Sequence, residues 1–175
     1  ASFTAAFEAL GVQEAYCYCA SQDAESSIEG LARLEPTVVV TIPSILDRCL
    51  TAFQRHFAAA PRSGLERVIY VGESLSRQTR SELEAGLGVE VFGYYGASET
   101  SALGIECTAH DGIHLYTDRN IIEVASPESS GVPEELLVTT LQQEGLPLLR
   151  YALKDRIDVK GGACACGLDY PRVDV

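Results

Sequence analysis

Two short stretches and one scattered set of residues have types and spacing that could do chemistry. Gly72-Glu73-Ser74 follows the apolar run RVIYV, and Tyr94-Tyr95-Gly96-Ala97-Ser98-Glu99-Thr100 follows the run VEVFG. In open α/β sheets, ligands sit in the crevice beyond the C-terminal ends of the strands. Gly96 would let the backbone come close to a planar ligand, and Tyr95 offers a ring for stacking. Ser98 supplies a hydroxyl, and Glu99 a hard oxygen of the kind Mg²⁺ prefers. A solvated loop with a capping serine and a surface acid would have the same spacing.

The scattered set is sulfur-rich. Cys107 and His114 lie across a turn (CTAHDGIH), and Cys164-Ala165-Cys166-Gly167 follows some fifty residues later. Three thiolates and one imidazole would complete a closed, structural Zn²⁺ site. His110 competes with His114 for the fourth position. The alternative is two buried thiols and a surface turn. Cys17, Cys19 and Cys49 fall in strand and helix patterns and read as core packing. His56, near a helix end, reads as surface or as a C-terminal dipole contact. Other catalytic patterns fail. Thr100 stands where a nucleophile elbow needs its second glycine, and neither a P-loop nor a dinucleotide glycine fingerprint occurs.

The elements that must position these residues change character along the chain. Residues 3–10 and 24–34 have apolar side chains at helical spacing, as do 44–57 and 76–86, the last expected to close on Gly86. Between them, residues 14–19, 37–42 (TVVVTI), 67–71 and 89–95 read as strands. The β-branched run TVVVTI suits a strand buried on both faces. About four β-α repeats in the first 95 residues predict a mostly parallel sheet with flanking helices. After Gly96, residues 113–116, 120–125, 135–141, 148–152 and 157–159 are short strand-like runs without helices, which predicts an antiparallel, barrel-like portion. Residues 125–133 (ASPESSGVP) read as a polar turn.

Composition narrows the function classes. The 175 residues carry 13 Lys and Arg against 25 Asp and Glu, a formal charge of −12. Phosphate backbones and anionic lipid would repel such a chain, so nucleic-acid and membrane partners are not expected. No apolar run reaches the ~18 residues of a membrane span. The opening residues Ala1-Ser2-Phe3-Thr4 lack an export signal, so a cytoplasmic protein with reduced cysteines is expected.

The string YYGASETSALGIEC resembles the Tyr-Gly-x-Ser/Thr-Glu motif of the adenylate-forming (AMP-binding) superfamily, and most of all its phenylacetate–CoA ligase branch, which includes coenzyme F390 synthetase-like proteins. EPTVVVTIPSIL, RVIYVGESLS and ELLVTTLQQEGLPLLRYALKDRI resemble further segments of that family, in the right order. The Cys…His and Cys-x-Cys-Gly pattern also resembles many of its members. The likeness extends from about residue 3 to residue 172.

The resemblance implies an ATP-dependent carboxylate–CoA ligase that forms an acyl-adenylate and then a thioester. It implies that Tyr95 packs on adenine, with Gly72, Glu73, Ser74, Gly96 and Ala97 in the same pocket and Tyr94 toward the acyl group. Ser98 would sit near the α-phosphate, Glu99 would ligate Mg²⁺, and Asp155 would hold the ribose hydroxyls. Cys107, His114, Cys164 and Cys166 would bind a structural Zn²⁺.

The implied partners are ATP or AMP, a small carboxylate, and CoA or a carrier-protein phosphopantetheine; a homodimer is allowed. Residues 1–96 and 97–175 would be two portions of one AMP-binding domain. The family's phosphate loop and C-terminal lysine domain have no counterpart in these 175 residues, so the isolated chain is expected to be incomplete for catalysis. Where the family usually has Arg-Thr-Gly/Arg-Asp, this chain has Ala152-Leu153-Lys154-Asp155. The alternative is a non-catalytic, zinc-stabilised module that binds a nucleotide or a partner.

Overall fold

The computed structural model describes residues 12, 14–16, 18, 23–58, 64–125 and 134–175. The β-branched run becomes β1 (Val38–Thr41), and β2 (Arg67–Val71) and β3 (Glu90–Ala97) pair beside it in parallel. Val39, Val68 and Val91 are register neighbours across these three strands and are all buried. Their common face is covered by α1 (Ala24–Ala32), α2 (Pro43–Ala58) and α3 (Arg77–Leu87), through Ile28, Leu46, Cys49, Phe53 and Leu83. Leu83 and Val68 are fully buried. Burying side chains of this kind contributes roughly 1.5–3 kcal/mol each and holds the layer together.

Local chemistry sets the helix ends. Asp23 caps α1 by accepting from the Ser26 N–H at 2.8 Å. Ser76 caps α3 by accepting from the Thr79 N–H at 3.0 Å. The α3 C-cap is Gly88, left-handed at φ 67, and not the expected Gly86, so the helix runs on to Leu87. A C-cap needs a left-handed residue, which glycine adopts without strain; Gly86 lies inside the last helical turn.

The remaining strands are antiparallel: β4 (Ser101–Glu106), β5 (Ile113–Leu115), β6 (Asn120–Ala125), β7 (Glu134–Thr140), β8 (Tyr151–Lys160) and β9 (Arg172–Asp174). Among the described residues the sheet has nine strands in the order β1-β2-β3-β4-β5-β9-β8-β7-β6. No pairing between β1 and β6 closes it into a barrel. Tyr95, Leu103, Leu115, Leu136, Val138, Ile157 and Val173 form a second core under the antiparallel half.

Several sequence expectations need correction. Of residues 14–19, those described lie outside any strand, leaving three parallel strands and not four. Tyr18 instead lies over α1, its hydroxyl so near Gly30 that a Cβ there would meet it at 2.3 Å. Residues 148–150 precede β8, and the expected strands 148–152 and 157–159 become one. β4 and β9 were not expected at all: SALGIE mixes small and apolar residues without alternation, and RVD is only three residues long. The expected helix at 3–10, Cys17, Cys19 and most of the turn at 125–133 lie outside the described residues.

Candidate functional site

The two strand-end loops open into one cleft of about 870 Å³. Gly72, Glu73 and Ser74 after β2 line it, and so do Tyr94, Tyr95, Gly96, Ala97 and Ser98 at the end of β3, with Asp155 from β8. Glu99 is not among the lining residues. It sits on the exposed turn between β3 and β4, and its carbonyl accepts from the Gln143 side chain at 2.9 Å.

Two irregular ladders bring the central pair together. The β3–β4 register shifts between Tyr95 and Gly96, where Leu103 is extra on β4. On β7, Glu135 pairs with Arg156 but Leu137 pairs with Ala152, so Leu153, Lys154 and Asp155 bulge opposite Leu136. Lys154 takes a left-handed φ of 64, a conformation that glycine adopts more cheaply. Bulges re-aim side chains. The outcome is that the Tyr95 hydroxyl donates to Asp155 Oδ2 at 2.6 Å, across 60 residues of sequence. Burial, and then the Asp155 bond, push the Tyr95 pKa far up, so the hydroxyl stays a donor. Only 9% of Tyr95 is exposed, so little of its ring is open to a stacking partner in this conformation.

Glu73 is engaged elsewhere: its carboxylate accepts from the Ser44 N–H at 3.0 Å and the Ser44 hydroxyl at 3.2 Å. Ser44 is the second residue of α2, so Glu73 caps that helix from a neighbouring loop while its residue still lines the cleft. Tyr94 also lines the cleft, and burial raises its pKa.

Sequence reasoning missed the cleft floor. Glu106, at the end of β4, accepts from the Gly93 N–H at 2.8 Å and from Arg80 Nη2 at 2.6 Å. His110 stacks on Phe92 and lies 3.1 Å from Arg80 Nη1 through its Nδ1. Without a β4 expectation, nothing pointed Glu106 toward the cleft.

Cys107, His114, Cys164 and Cys166 converge, with one donor atom from each lying within 4.8 Å of the others. The Sγ atoms of Cys107 and Cys164 are 3.6 Å apart, and Cys166 Sγ is 3.5 Å from His114 Nε2. Zinc–sulfur and zinc–nitrogen bond lengths give tetrahedral edges of about 3.8 and 3.6 Å, so this donor set fits Zn²⁺. His114 is 1% exposed, and its Nδ1 has no partner among the described residues, leaving Nε2 as the engaged nitrogen. His110, bound up with Arg80 and Phe92, is not part of the cluster. The Cys164 thiol is lowered to about 6, first by the Cys166 backbone N–H and then by the Cys166, His114 and Cys107 side chains, outweighing burial. Cys166 is raised: a Leu168 N–H lowers it, but burial and the Cys164 and Cys107 thiols together prevail.

A parallel α/β layer running into antiparallel sheet, with a cleft beyond the strand ends, defines a mixed α/β fold. The model of the AMP-binding enzyme family matches residues 9–136, and the chain belongs to that family. It is 30% identical over 146 residues to a phenylacetate-coenzyme A ligase of Thermus thermophilus, covering 79% of this chain and 33% of the relative. It is 27% identical to one from Aromatoleum evansii, covering 75% of this chain and 32% of the relative. The chain thus spans about a third of the length of these curated relatives.

Among solved structures, an open conformation of 2-hydroxyisobutyryl-CoA ligase in complex with 2-HIB-AMP and CoA superposes with a TM-score of 0.81. The match is 20% identical and covers 97% of this chain and 39% of that one. An anthranilate CoA ligase in complex with anthranoyl-AMP gives 0.59 at 16% identity, covering 86% of this chain and 31% of that one. These likenesses show the fold. Among the described residues no helix is long and apolar enough to cross a membrane.

Proposed function

We propose that this chain is part of an ATP-dependent carboxylate–CoA ligase, forming an acyl-adenylate and then a thioester. The observation that carries the reading is the shared cleft: both strand-end loops open into it, and the bonded pair Tyr95 and Asp155 lines it. In this reading the two portions, 1–96 and 97–175, belong to one AMP-binding domain, the second acting as its barrel-like wall. The acceptor thiol is CoA, with a carrier-protein phosphopantetheine as the variant.

Adenine would lie at the accessible edge of the largely buried Tyr95, with the backbone of Gly72, Glu73 and Ser74 around the base. The ribose hydroxyls would donate to Asp155, one to Oδ1 and one to the second lone pair of Oδ2, which also accepts from Tyr95. Ser98 donates to the α-phosphate region, and Tyr94 faces the acyl group. From the exposed turn beside the cleft, Glu99 would hold Mg²⁺, which would supply positive charge to offset that of the phosphates. Holding the reactants in line contributes much of the acceleration in such a reaction. The Cys107–His114–Cys164–Cys166 cluster holds Zn²⁺ in a structural role, joining the 107–114 hairpin to the segment before β9.

The test uses a full-length ligase carrying this chain. Glu99→Gln should lower carboxylate-dependent pyrophosphate exchange by about a hundredfold or more, as loss of a positioned charge does. Exchange within a fewfold of the parent would remove Glu99 from the metal role. A full-length enzyme with no exchange across a panel of carboxylates, yet binding AMP by calorimetry, would favour the non-catalytic nucleotide-binding reading.

A further inference from the structure

Arg172 is 4% exposed and lies outside the cleft described above. It sits on β9, opposite His114 on β5 and opposite Lys160 on β8. Its guanidinium Nη1 donates to the Asp111 carbonyl at 3.0 Å and also to Asp111 Oδ2. Nη2 donates to the Gly161 carbonyl at 3.2 Å and the Gly162 carbonyl at 2.9 Å. Asp111 belongs to the turn between Cys107 and His114. Gly161 and Gly162 open the segment that carries Cys164 and Cys166. One side chain therefore ties the loop supplying two of the four donors to the loop supplying the other two.

We infer that Arg172 is a positioning residue for the metal cluster, fastening the two ligand-bearing loops to each other so that the four donors converge. The inference rests on the zinc reading given above. Three thiolates and one Zn²⁺ leave a net charge of −1, and the Arg172 charge and the Cys164 and Cys107 thiolates favour one another. A planar fork suits four acceptors on two sides, whereas a lysine ammonium reaches fewer of them at good geometry. Lys160 reinforces the arrangement from β8, donating to Asp111 Oδ1 at 3.1 Å and pairing with Asp174 at 3.0 Å. Groups that orient metal ligands typically affect affinity by about 10–100-fold when removed.

The test compares the 175-residue chain with Arg172→Met and Arg172→Lys, by zinc competition against a chromogenic chelator and by Co²⁺ absorption. Thermal unfolding is followed with and without saturating zinc. Arg172→Met is expected to weaken zinc about 10–100-fold, with the cobalt–thiolate bands at saturation unchanged because the four ligands are the same. Arg172→Lys is expected to recover only part of the affinity. The zinc-dependent gain in unfolding temperature should shrink in both.

If Arg172→Met lowers the unfolding temperature equally with and without zinc and leaves zinc affinity within twofold of wild type, the residue is merely structural and the inference is overturned. If Arg172→Met does not fold, Arg172→Lys decides by the same criterion. A wild-type chain that takes up no stoichiometric zinc would overturn the zinc reading itself, a result distinct from wild type and variant binding alike.

Discussion

Glu106 lines the cleft and is held there by two donors. Its carboxylate is 9% exposed and is met by the Gly93 amide and the Arg80 guanidinium. The β3–β4 ladder pairs Tyr94 with Ile105, and beyond that rung the carboxylate takes over as acceptor for the next amide. Glu106→Gln leaves the half-buried Arg80 with only the more distant Glu84 carboxylate, at 3.8 Å, as counter-charge. The expected cost is about 2–4 kcal/mol, since removing one partner of a buried pair exceeds the worth of the pair. Urea unfolding of Glu106→Gln beside Glu106→Gln/Arg80→Met checks this, the double variant recovering part of the loss.

At the scale of elements, close backbone approach governs the β4–β5 hairpin. Gly104 pairs with Leu115, and a Cβ at Gly104 would meet the His114 carbonyl oxygen at 2.4 Å. Backbone cannot swing aside as a side chain can. Gly104→Ala is expected to cost about 2–3 kcal/mol through overpacking and to shift His114 with its strand. Chemical denaturation reads the loss, and a weakened cobalt complex reads the displaced imidazole. An unchanged variant would mean that the hairpin is looser than drawn.

This hairpin also marks the limit of sequence patterning. TVVVTI, RVIYV and VEVFGYY were legible as strands from their β-branched and apolar runs, although β1 is buried on one face only: Val39 is buried while Val38 and Val40 are exposed, which corrects the expectation of burial on both faces. SALGIE was not, because a strand that bulges and admits a glycine against a neighbouring backbone loses its alternation.

For the whole molecule, the Cys107–His114–Cys164–Cys166 cluster joins segments that the sheet connects through β9. Cys107 and His114 flank the β4–β5 turn, while Cys164 and Cys166 precede β9, which pairs with both β5 and β8. A metal there closes a loop of some fifty residues onto the hairpin, and binding free energy of this kind becomes folding free energy. Chelation followed by desalting is expected to lower the unfolding temperature by on the order of 10 °C, and zinc should restore it. Metal analysis before and after treatment would check stoichiometry. An unfolding temperature indifferent to chelator, with no zinc lost, would leave the fold standing on its two apolar cores alone.

The order of strands and helices from residue 37 to 95, the strand-end loops and the three cysteines of the candidate donor set were determined by the sequence itself. Each of these depends on composition and spacing within a short stretch, where burial, capping and ligand chemistry act locally. The tertiary structure decided what lay between distant residues: that Tyr95 meets Asp155, that Glu106 anchors the cleft floor, and that Arg172 ties the 107–114 turn to the segment carrying Cys164 and Cys166. Those contacts arise from ladder shifts and left-handed residues such as Lys154. Register and bulges are set by the packing of the sheet as a whole, which a one-dimensional pattern does not carry.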